Sequence, residues 1–295
     1  MKKLTGVVTP LVTLFDTDDR IDLDAMGKLI DMLIENGVQG LFPCGTTAEA
    51  PLLTIEERMA CAEYVVKKAS NRVPVFVQAG GMSAIETLKL ANHAIAIGAD
   101  GIAVITPSYF TLSQEAIRDY YISIAHALRQ DFPIYLYSIP EYTGNDILPE
   151  TASEIAHSCP NIIGIKYSGD DLVRLLEFTL IRDGSFSVLA GADRAFVSVL
   201  AGGCDGIVSG MSNVFSRRLR KIYDHYSAGD PRTALKMNRE LLRDTGCLLE
   251  GPFLPRLKVA LEYIGHKGGK VRSPLPQITE ESKKLLLAQL AGMDF

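Results

Sequence analysis

The sequence predicts an α/β protein, a (β/α)8 TIM barrel with a C-terminal helical extension, from two observations. Short apolar runs rich in Val and Ile alternate with longer amphipathic runs, and eight such strand-then-helix units fit before about residue 228. The apolar runs show no polar alternation, which is typical of parallel strands covered on both faces. An open doubly wound sheet fits less well, because no G-x-G-x-x-G motif follows the first predicted strand.

The elements follow one another in the order that this fold requires. The predicted strands are Gly6–Thr9, Gly40–Pro43, Val75–Gln78, Gly101–Ile105, Ile134–Tyr137, Ile162–Lys166, Ser187–Ala190 and Gly206–Val208. The runs predicted as helices between them include Asp24–Asn36, Ile55–Ser70, Ala84–Ile97, Gln114–Arg129 and Asp171–Ile181. Thr54 and Glu57 have the spacing of a capping box at the start of one helix. Gly37 and Gly98 follow two helices, where a left-handed cap residue is needed.

The strand pattern stops at Asp230. Three further helices are predicted after it, over Arg232–Thr245, Phe253–Ile264 and Glu280–Leu290. No polar linker precedes them. We therefore expect residues 1–229 to form the barrel and residues 230–295 to form a helical extension of the same domain.

Composition narrows the classes of function. The chain has 295 residues, 47% hydrophobic and 22% charged, with a formal net charge of −5. This charge argues against a nucleic-acid or anionic-membrane partner, because no basic surplus exists to neutralise phosphates. No apolar run reads as a membrane span and the start has no signal-peptide core, so a cytoplasmic protein is expected. The five cysteines form no C-x-x-C pair and the five histidines show no metal-ligand spacing, so neither a disulfide framework nor a metal site is expected.

The working residues of such barrels lie at the C-terminal ends of the strands. Lys166 ends an apolar run there, and burying an ammonium is costly, which favours the neutral, nucleophilic amine. The alternative is a strand-end lysine that reaches solvent or pairs with Asp170 or Asp171, and position alone does not decide between the two. Thr46 and Thr47 lie in a glycine-containing loop whose N–H groups suit a carboxylate, although an ordinary Thr-rich turn has the same composition. The strand pattern does not fix whether Tyr137 points into the barrel or into the helical layer.

Two long motifs follow one another along the chain. The first is the run from Gly40 to Glu49, Gly-Leu-Phe-Pro-Cys-Gly-Thr-Thr-Ala-Glu, followed by Glu57. The second begins with Tyr137-Ser-Ile-Pro and continues to Ile-Ile-Gly-Ile-Lys166-Tyr-Ser. Through these motifs the chain resembles the dihydrodipicolinate synthase/N-acetylneuraminate lyase family of pyruvate-type aldolases, and the resemblance spans essentially the whole chain.

The resemblance implies a role for each rim residue. Lys166 would form a Schiff base with pyruvate or another 2-oxo acid, and Tyr137 would be the general acid/base. Thr47 would relay protons from Tyr137 to Tyr109, which would reach in from a neighbouring subunit of a homotetramer. Thr46 and Thr47 would hold the substrate carboxylate. The implied chemistry needs no metal or organic cofactor, and the implied partners are pyruvate and an aldehyde.

Departures from the family pattern bear on the substrate. Tyr142 stands where dihydrodipicolinate synthases have an arginine, and a tyrosine cannot supply a bidentate cation. We therefore rank cleavage of a 2-oxo-3-deoxy sugar acid above the synthase reaction, with N-acetylneuraminate lyase and sugar-acid dehydratase as further alternatives. Ala48 replaces the usual glycine, which predicts a slightly altered loop. The substrate hydroxyls are expected to contact four rim residues, namely Ser168, Gly191, Asp193 and Ser209. A different class, a non-catalytic protein that binds or senses a 2-oxo acid, is disfavoured by the retention of the whole catalytic set.

Overall fold

Eight parallel strands form one barrel in the computed structural model, which describes all 295 residues. The strands are β1 (Gly6–Thr9), β2 (Gly40–Leu41), β3 (Phe76–Gln78), β4 (Gly101–Ile105), β5 (Ile134–Ser138), β6 (Ile162–Tyr167), β7 (Ser187–Ala190) and β8 (Gly206–Val208). Each strand pairs with its neighbour in chain order except at β2 and β3, and β8 pairs with β1. A single parallel bridge between Leu41 and Val75 joins β2 to β3 and completes the circle. The predicted (β/α)8 barrel is confirmed.

The helices predicted in the first half of the chain lie within two residues of the expected bounds. The twelve helices are α1 (Leu23–Glu35), α2 (Ile55–Ala69), α3 (Ala84–Ala96), α4 (Gln114–Ala127), α5 (Pro140–Thr143), α6 (Pro149–Ser158), α7 (Leu172–Glu177), α8 (Phe196–Ala201), α9 (Ser212–Ser227), α10 (Pro231–Asp244), α11 (Phe253–Tyr263) and α12 (Glu280–Leu290). Helices α5 and α6 follow β5, α8 follows β7 and α9 follows β8. The sequence pattern predicted a helix after each of these strands without giving its bounds. Short 3-10 turns occupy Ala50–Leu52, Phe178–Gly184, Asp193–Ala195 and Thr245–Leu249.

Local chemistry explains where the helices begin and end. At the start of α2 the Thr54 hydroxyl accepts the Glu57 N–H at 3.1 Å, and the Glu57 carboxylate accepts the Thr54 N–H at 2.9 Å. This reciprocal pair is the predicted capping box. Gly37 and Gly98 have φ values of 83° and 77°, so both adopt the left-handed conformation expected after a helix.

The second strand and the helix predicted to end at Ile181 both stop earlier than expected. The second strand ends at Leu41 instead of Pro43, because proline donates no ladder hydrogen bond and the chain turns at Cys44, whose φ is 62°. The helix predicted to Ile181 ends at Glu177 and continues as a 3-10 turn. Phe178 and Ile181 are both buried, so the apolar pattern continued past the true end of the helix.

The core has two layers. Ten buried residues fill the inside of the barrel, namely Leu4, Val8, Phe42, Phe76, Ala103, Tyr135, Tyr137, Ile163, Leu189 and Val208. A larger apolar cluster of 67 buried residues lies mainly between the strands and the surrounding helices. Strands covered on both faces explain the apolar runs without polar alternation.

The last three helices pack onto the barrel. α10 lies against α8 and α9, and α11 lies against α9 and α12. Leu241, Leu257 and Leu286 each lie on one of these helices and are buried to 1% exposure or less. None of the helices has both the length and the apolar character needed to cross a membrane.

Candidate active site

Lys166 lies inside the barrel, near the C-terminal end of β6. It is paired in register with Tyr137 on β5 and is only 6% exposed. Its Nζ is 3.7 Å from the centroid of the Tyr137 ring and 5.2 Å from that of Phe42. Asp171, a partner considered from the sequence, instead lies 3.8 Å from Arg174. The amine is therefore neither at the surface nor in a salt bridge.

Tyr137 points into the barrel, which settles the direction that the strand pattern left open. Its side chain is fully buried and belongs to the interior cluster. Its ring meets Phe42 edge to face, with centroids 6.0 Å apart. Its hydroxyl lies 2.9 Å from the Thr46 Oγ1. The Lys166 amine, the Tyr137 phenol and the Thr46 hydroxyl thus lie together as one group.

The Gly-Thr-Thr loop (residues 45–49) offers unused donors beside this group. The loop is closed by the Ala48 N–H donating to Gly45 O at 3.1 Å and the Glu49 N–H donating to Thr46 O at 3.0 Å. The N–H groups of Thr46 and Thr47 donate to no acceptor within the chain. Two neighbouring free N–H groups in a turn form a concavity suited to an anion. The loop can therefore receive a carboxylate.

The hydroxyl that contacts Tyr137 is that of Thr46, whereas the resemblance implied a relay through Thr47. The Thr47 hydroxyl makes no hydrogen bond within the chain and lies toward Gly210, 3.5 Å from where a Cβ of that glycine would stand. Successive residues of a tight turn point their side chains in different directions. The motif alone therefore did not distinguish the two threonines.

Ala48 leaves the loop conformation unstrained. It is not among the residues with positive φ, so a glycine is not needed there. Its carbonyl accepts a hydrogen bond from the Thr13 hydroxyl at 2.8 Å. The left-handed residues are instead Cys44, just before the loop, with φ 62°, and Glu49, the last residue of the loop, with φ 59°.

Sequence reasoning missed the buried ion pair behind the loop. Glu49 accepts a hydrogen bond from Lys258 Nζ at 2.6 Å, and both side chains are 0% exposed. The Arg272 N–H donates to the other oxygen of the same carboxylate at 2.7 Å. A lysine within the fully buried run from Pro255 to Leu261 was the available signal, because a buried ammonium requires a partner.

A second group of polar residues lies on the rim where β6, β7 and β8 end. Ser168 faces Gly191 so closely that a Cβ on the glycine would stand 2.2 Å from the serine Oγ. The buried Ser209 donates a hydrogen bond to Asp193 at 2.7 Å. Burial raises the pKa of Asp193, and the hydrogen bond from Ser209 opposes that shift. The structure thus brings the four predicted hydroxyl-binding residues together in two adjacent pairs.

The two remaining predicted residues lie farther out. Tyr142 is on α5 and is 63% exposed. Partial burial raises its pKa, with smaller contributions from the charges of Glu141 and Tyr137. Tyr109 has φ 77°, is 85% exposed and packs edge to face on Phe110. Within one chain, Tyr109 is not part of the Lys166 group.

No group of three or more His, Cys, Asp or Glu side chains has an arrangement that could hold a metal ion. The five cysteines are all buried and unpaired. The polar atoms that converge at the site are amine, hydroxyl, phenol and backbone N–H groups, which suit an organic acid.

A family model described as the dihydrodipicolinate synthetase family matches residues 3–292. A probable 2-dehydro-3-deoxy-D-pentonate aldolase of Escherichia coli K12 is 36% identical, and the alignment covers 90% of this chain and 89% of that protein. A 4-hydroxy-tetrahydrodipicolinate synthase of Sorangium cellulosum is 34% identical over 99% of this chain and 96% of its own. The crystal structure of YagE, a protein of the dihydrodipicolinic acid synthase family from Escherichia coli K12 in complex with pyruvate, superposes with a TM-score of 0.92 at 32% identity, covering 97% of each chain.

Proposed function

This chain belongs to the dihydrodipicolinate synthetase family and is a lyase, and we propose that it cleaves a 2-oxo-3-deoxy sugar acid to pyruvate and an aldehyde. The single observation that carries the proposal is the buried amine of Lys166 beside Tyr137, whose hydroxyl contacts Thr46 of a loop with free N–H donors. A nucleophilic amine beside a hydroxyl acid and an anion-binding turn suits a 2-oxo acid.

The proposed reaction begins when the Lys166 amine attacks the C2 carbonyl of the substrate and forms a carbinolamine. Loss of water gives an iminium, which draws electrons from the bond between C3 and C4. The C4 hydroxyl gives up its proton, the C3–C4 bond breaks, and the aldehyde leaves while an enamine remains. Protonation at C3 and addition of water then release pyruvate and restore the amine. No metal or organic cofactor takes part in these steps.

Tyr137 is proposed as the group that moves the protons. Its phenol is next to the amine, where it can donate to the carbinolamine oxygen and accept from the C4 hydroxyl. Thr46 takes the relay role in place of Thr47, because its hydroxyl is the one in contact with Tyr137. Tyr109 would complete the relay from a neighbouring subunit, since its own ring is exposed. A homotetramer is the assembly that we propose.

The substrate carboxylate is proposed to bind the N–H groups of Thr46 and Thr47. Neither N–H has an acceptor in the chain, so binding costs no internal hydrogen bond. Thr47 contributes through its backbone in this scheme, and its hydroxyl is available to the substrate.

A sugar-acid substrate is supported by the polar residues at the ends of β6, β7 and β8. Ser168, Asp193 and Ser209 offer hydroxyl and carboxyl groups to a polyol chain. Tyr142 supplies no positive charge for the acidic end of aspartate semialdehyde. A relative named as an aldolase of a 2-dehydro-3-deoxy pentonate is consistent with this substrate class.

The second candidate is the synthase reaction, condensation of pyruvate with aspartate semialdehyde, because a relative with 34% identity carries that name. A panel of aldehydes assayed with pyruvate separates the two. Condensation with aspartate semialdehyde far faster than with sugar-derived aldehydes would favour the synthase.

Borohydride trapping tests the mechanism directly. Reduction in the presence of pyruvate should add one pyruvate-derived mass to the protein, and peptide mapping should place it on Lys166. No adduct, or an adduct on another lysine, would refute the mechanism. Adduct formation without turnover of any sugar acid would indicate a 2-oxo acid sensor.

A further inference from the structure

The buried pair of Glu49 and Lys258 joins the Gly-Thr-Thr loop to the C-terminal helices. Lys258 is on α11 and donates to Glu49 Oε1 at 2.6 Å and to Lys270 O at 2.7 Å. Glu49 Oε2 accepts the Arg272 N–H at 2.7 Å. Both carboxylate oxygens are therefore held by residues that come more than two hundred positions later in the sequence.

A fully buried ion pair costs free energy compared with apolar side chains in the same place. Two charges must lose their hydration, and an apolar pair of similar size often stabilises a fold as well or better. Burial lowers the pKa of Lys258, and the charge of Glu49 opposes that shift. The Lys258 Nζ also lies 4.7 Å from the centroid of the Phe15 ring. What these contacts provide is a fixed position for the Glu49 carboxylate.

Glu49 transmits that geometry to the anion-binding turn. Its backbone is left-handed, with φ 59°, a conformation that costs a non-glycine residue energy unless surrounding contacts hold it. Its N–H donates to the Thr46 carbonyl at 3.0 Å. That carbonyl and the free Thr47 N–H belong to the same peptide unit, so the hydrogen bond orients the Thr47 N–H. If the Glu49 side chain were released, the turn could relax and its two donors would lose their common direction.

We propose that Glu49 and Lys258 are positioning residues that hold the N–H groups of Thr46 and Thr47 in place for the substrate carboxylate. This inference rests on the proposed function of the loop. It assigns Lys258 of the C-terminal extension a part in substrate binding that acts through the loop and not by contact with the substrate.

Glu57 provides a matched control. Its carboxylate binds the Arg272 guanidinium with two contacts of 2.7 Å, so it ties down the same C-terminal segment. Glu57 lies on α2 and not in the loop. Changing it disturbs the attachment of residue 272 without removing a contact of Glu49.

The test compares Glu49→Gln and Lys258→Met with Glu57→Gln. Borohydride trapping is measured over a range of concentrations of pyruvate and of acetone, a ketone that lacks the carboxylate. We expect Glu49→Gln and Lys258→Met to raise the half-saturating pyruvate concentration about tenfold, comparable to losing a hydrogen bond to a charged group. The half-saturating acetone concentration should stay unchanged in both variants. In Glu57→Gln, the ratio of the half-saturating concentrations of pyruvate and acetone should keep its wild-type value.

An unchanged ratio in a folded Glu49→Gln or Lys258→Met variant would overturn the proposal, as would an equal change in Glu57→Gln. If the single variants do not fold, the double variant Glu49→Gln/Lys258→Met, which leaves no unpaired buried charge, is measured by the same assay with the same criterion. Amide hydrogen exchange of peptides that cover residues 45–50 gives a second readout. It should rise in Glu49→Gln and not in Glu57→Gln, and equal exchange in the two would also overturn the proposal. A wild-type protein that forms no adduct would refute the proposed function, and the exchange measurement would still decide whether the pair orders the loop.

Discussion

Replacing Tyr137 with phenylalanine removes one oxygen atom and leaves the aromatic packing of the site in place. The ring would keep its edge-to-face contact with Phe42 and its position 3.7 Å from the Lys166 amine. The lost atom has one partner, the Thr46 hydroxyl at 2.9 Å. One such hydrogen bond is worth about 1 kcal/mol, so the melting temperature should change by roughly 2–4 °C at most.

The effect on catalysis should be far larger. A positioned acid/base contributes about 10²–10⁴-fold, which corresponds to roughly 2.7–5.4 kcal/mol of transition-state stabilisation. The assay is the release of pyruvate from a 2-oxo-3-deoxy sugar acid, followed by coupling to lactate dehydrogenase. Retention of kcat/KM within about fivefold of wild type would refute the role of Tyr137.

Thr46→Val and Thr47→Val form the matched pair for the relay. Both changes remove a hydroxyl and keep the backbone N–H, so carboxylate binding should survive in both. We expect Thr46→Val to lower kcat about tenfold or more and Thr47→Val to change it much less, because only Thr46 contacts Tyr137. The reverse order would restore Thr47 as the relay.

Three further predictions concern the amine and the rim. Lys166→Met should abolish the borohydride adduct while leaving the protein folded, as judged by its melting temperature, since the change removes a buried amine. Tyr142→Arg should raise kcat/KM for condensation with aspartate semialdehyde relative to that for sugar-acid cleavage by on the order of tenfold, because one charged hydrogen bond is gained. An unchanged ratio of the two kcat/KM values would contradict the assigned position of Tyr142. The folded-state pKa of Asp193 is raised above its ordinary value of 3.8, so its ionisation should reduce stability as the pH rises from about 3.8 through the folded-state pKa. Asp193→Asn should therefore raise the melting temperature at pH 7 and flatten that pH dependence, and an equal or lower melting temperature at pH 7 would show that the carboxylate is not penalised by burial.

The barrel could be predicted because its strands are short, apolar and regularly spaced. The end of β2 was less certain, since Phe42 and Pro43 continue the apolar run while the chain has already begun to turn toward Cys44. The direction of Tyr137 required the register of the closed barrel, which includes an irregularity between Ile134 and Tyr135. Alternation counted along the strand does not reveal such a shift.

The site was predicted residue by residue through motifs, and it was least certain where a loop determines the geometry. The choice between Thr46 and Thr47 depends on the turn that Cys44 and Glu49 impose, and neither residue is a glycine that would mark a left-handed position. The partnership of Glu49 with Lys258 joins residues 209 positions apart, and no local pattern encodes such a distance. A lysine in a buried helix shows that a partner is needed but does not identify it.

The anchoring of Glu49 has a consequence for the order in which a working molecule appears during synthesis. All eight strands have been synthesised once the chain reaches Val208, yet the partners of Glu49 come only at Lys258 and Arg272. A nascent chain could close its barrel before the N–H groups of Thr46 and Thr47 are held in place for the substrate carboxylate. The ability to bind a 2-oxo acid would then arise only after Lys258 and Arg272 have been synthesised, and a chain that stops before Lys258 would lack it while keeping all eight strands.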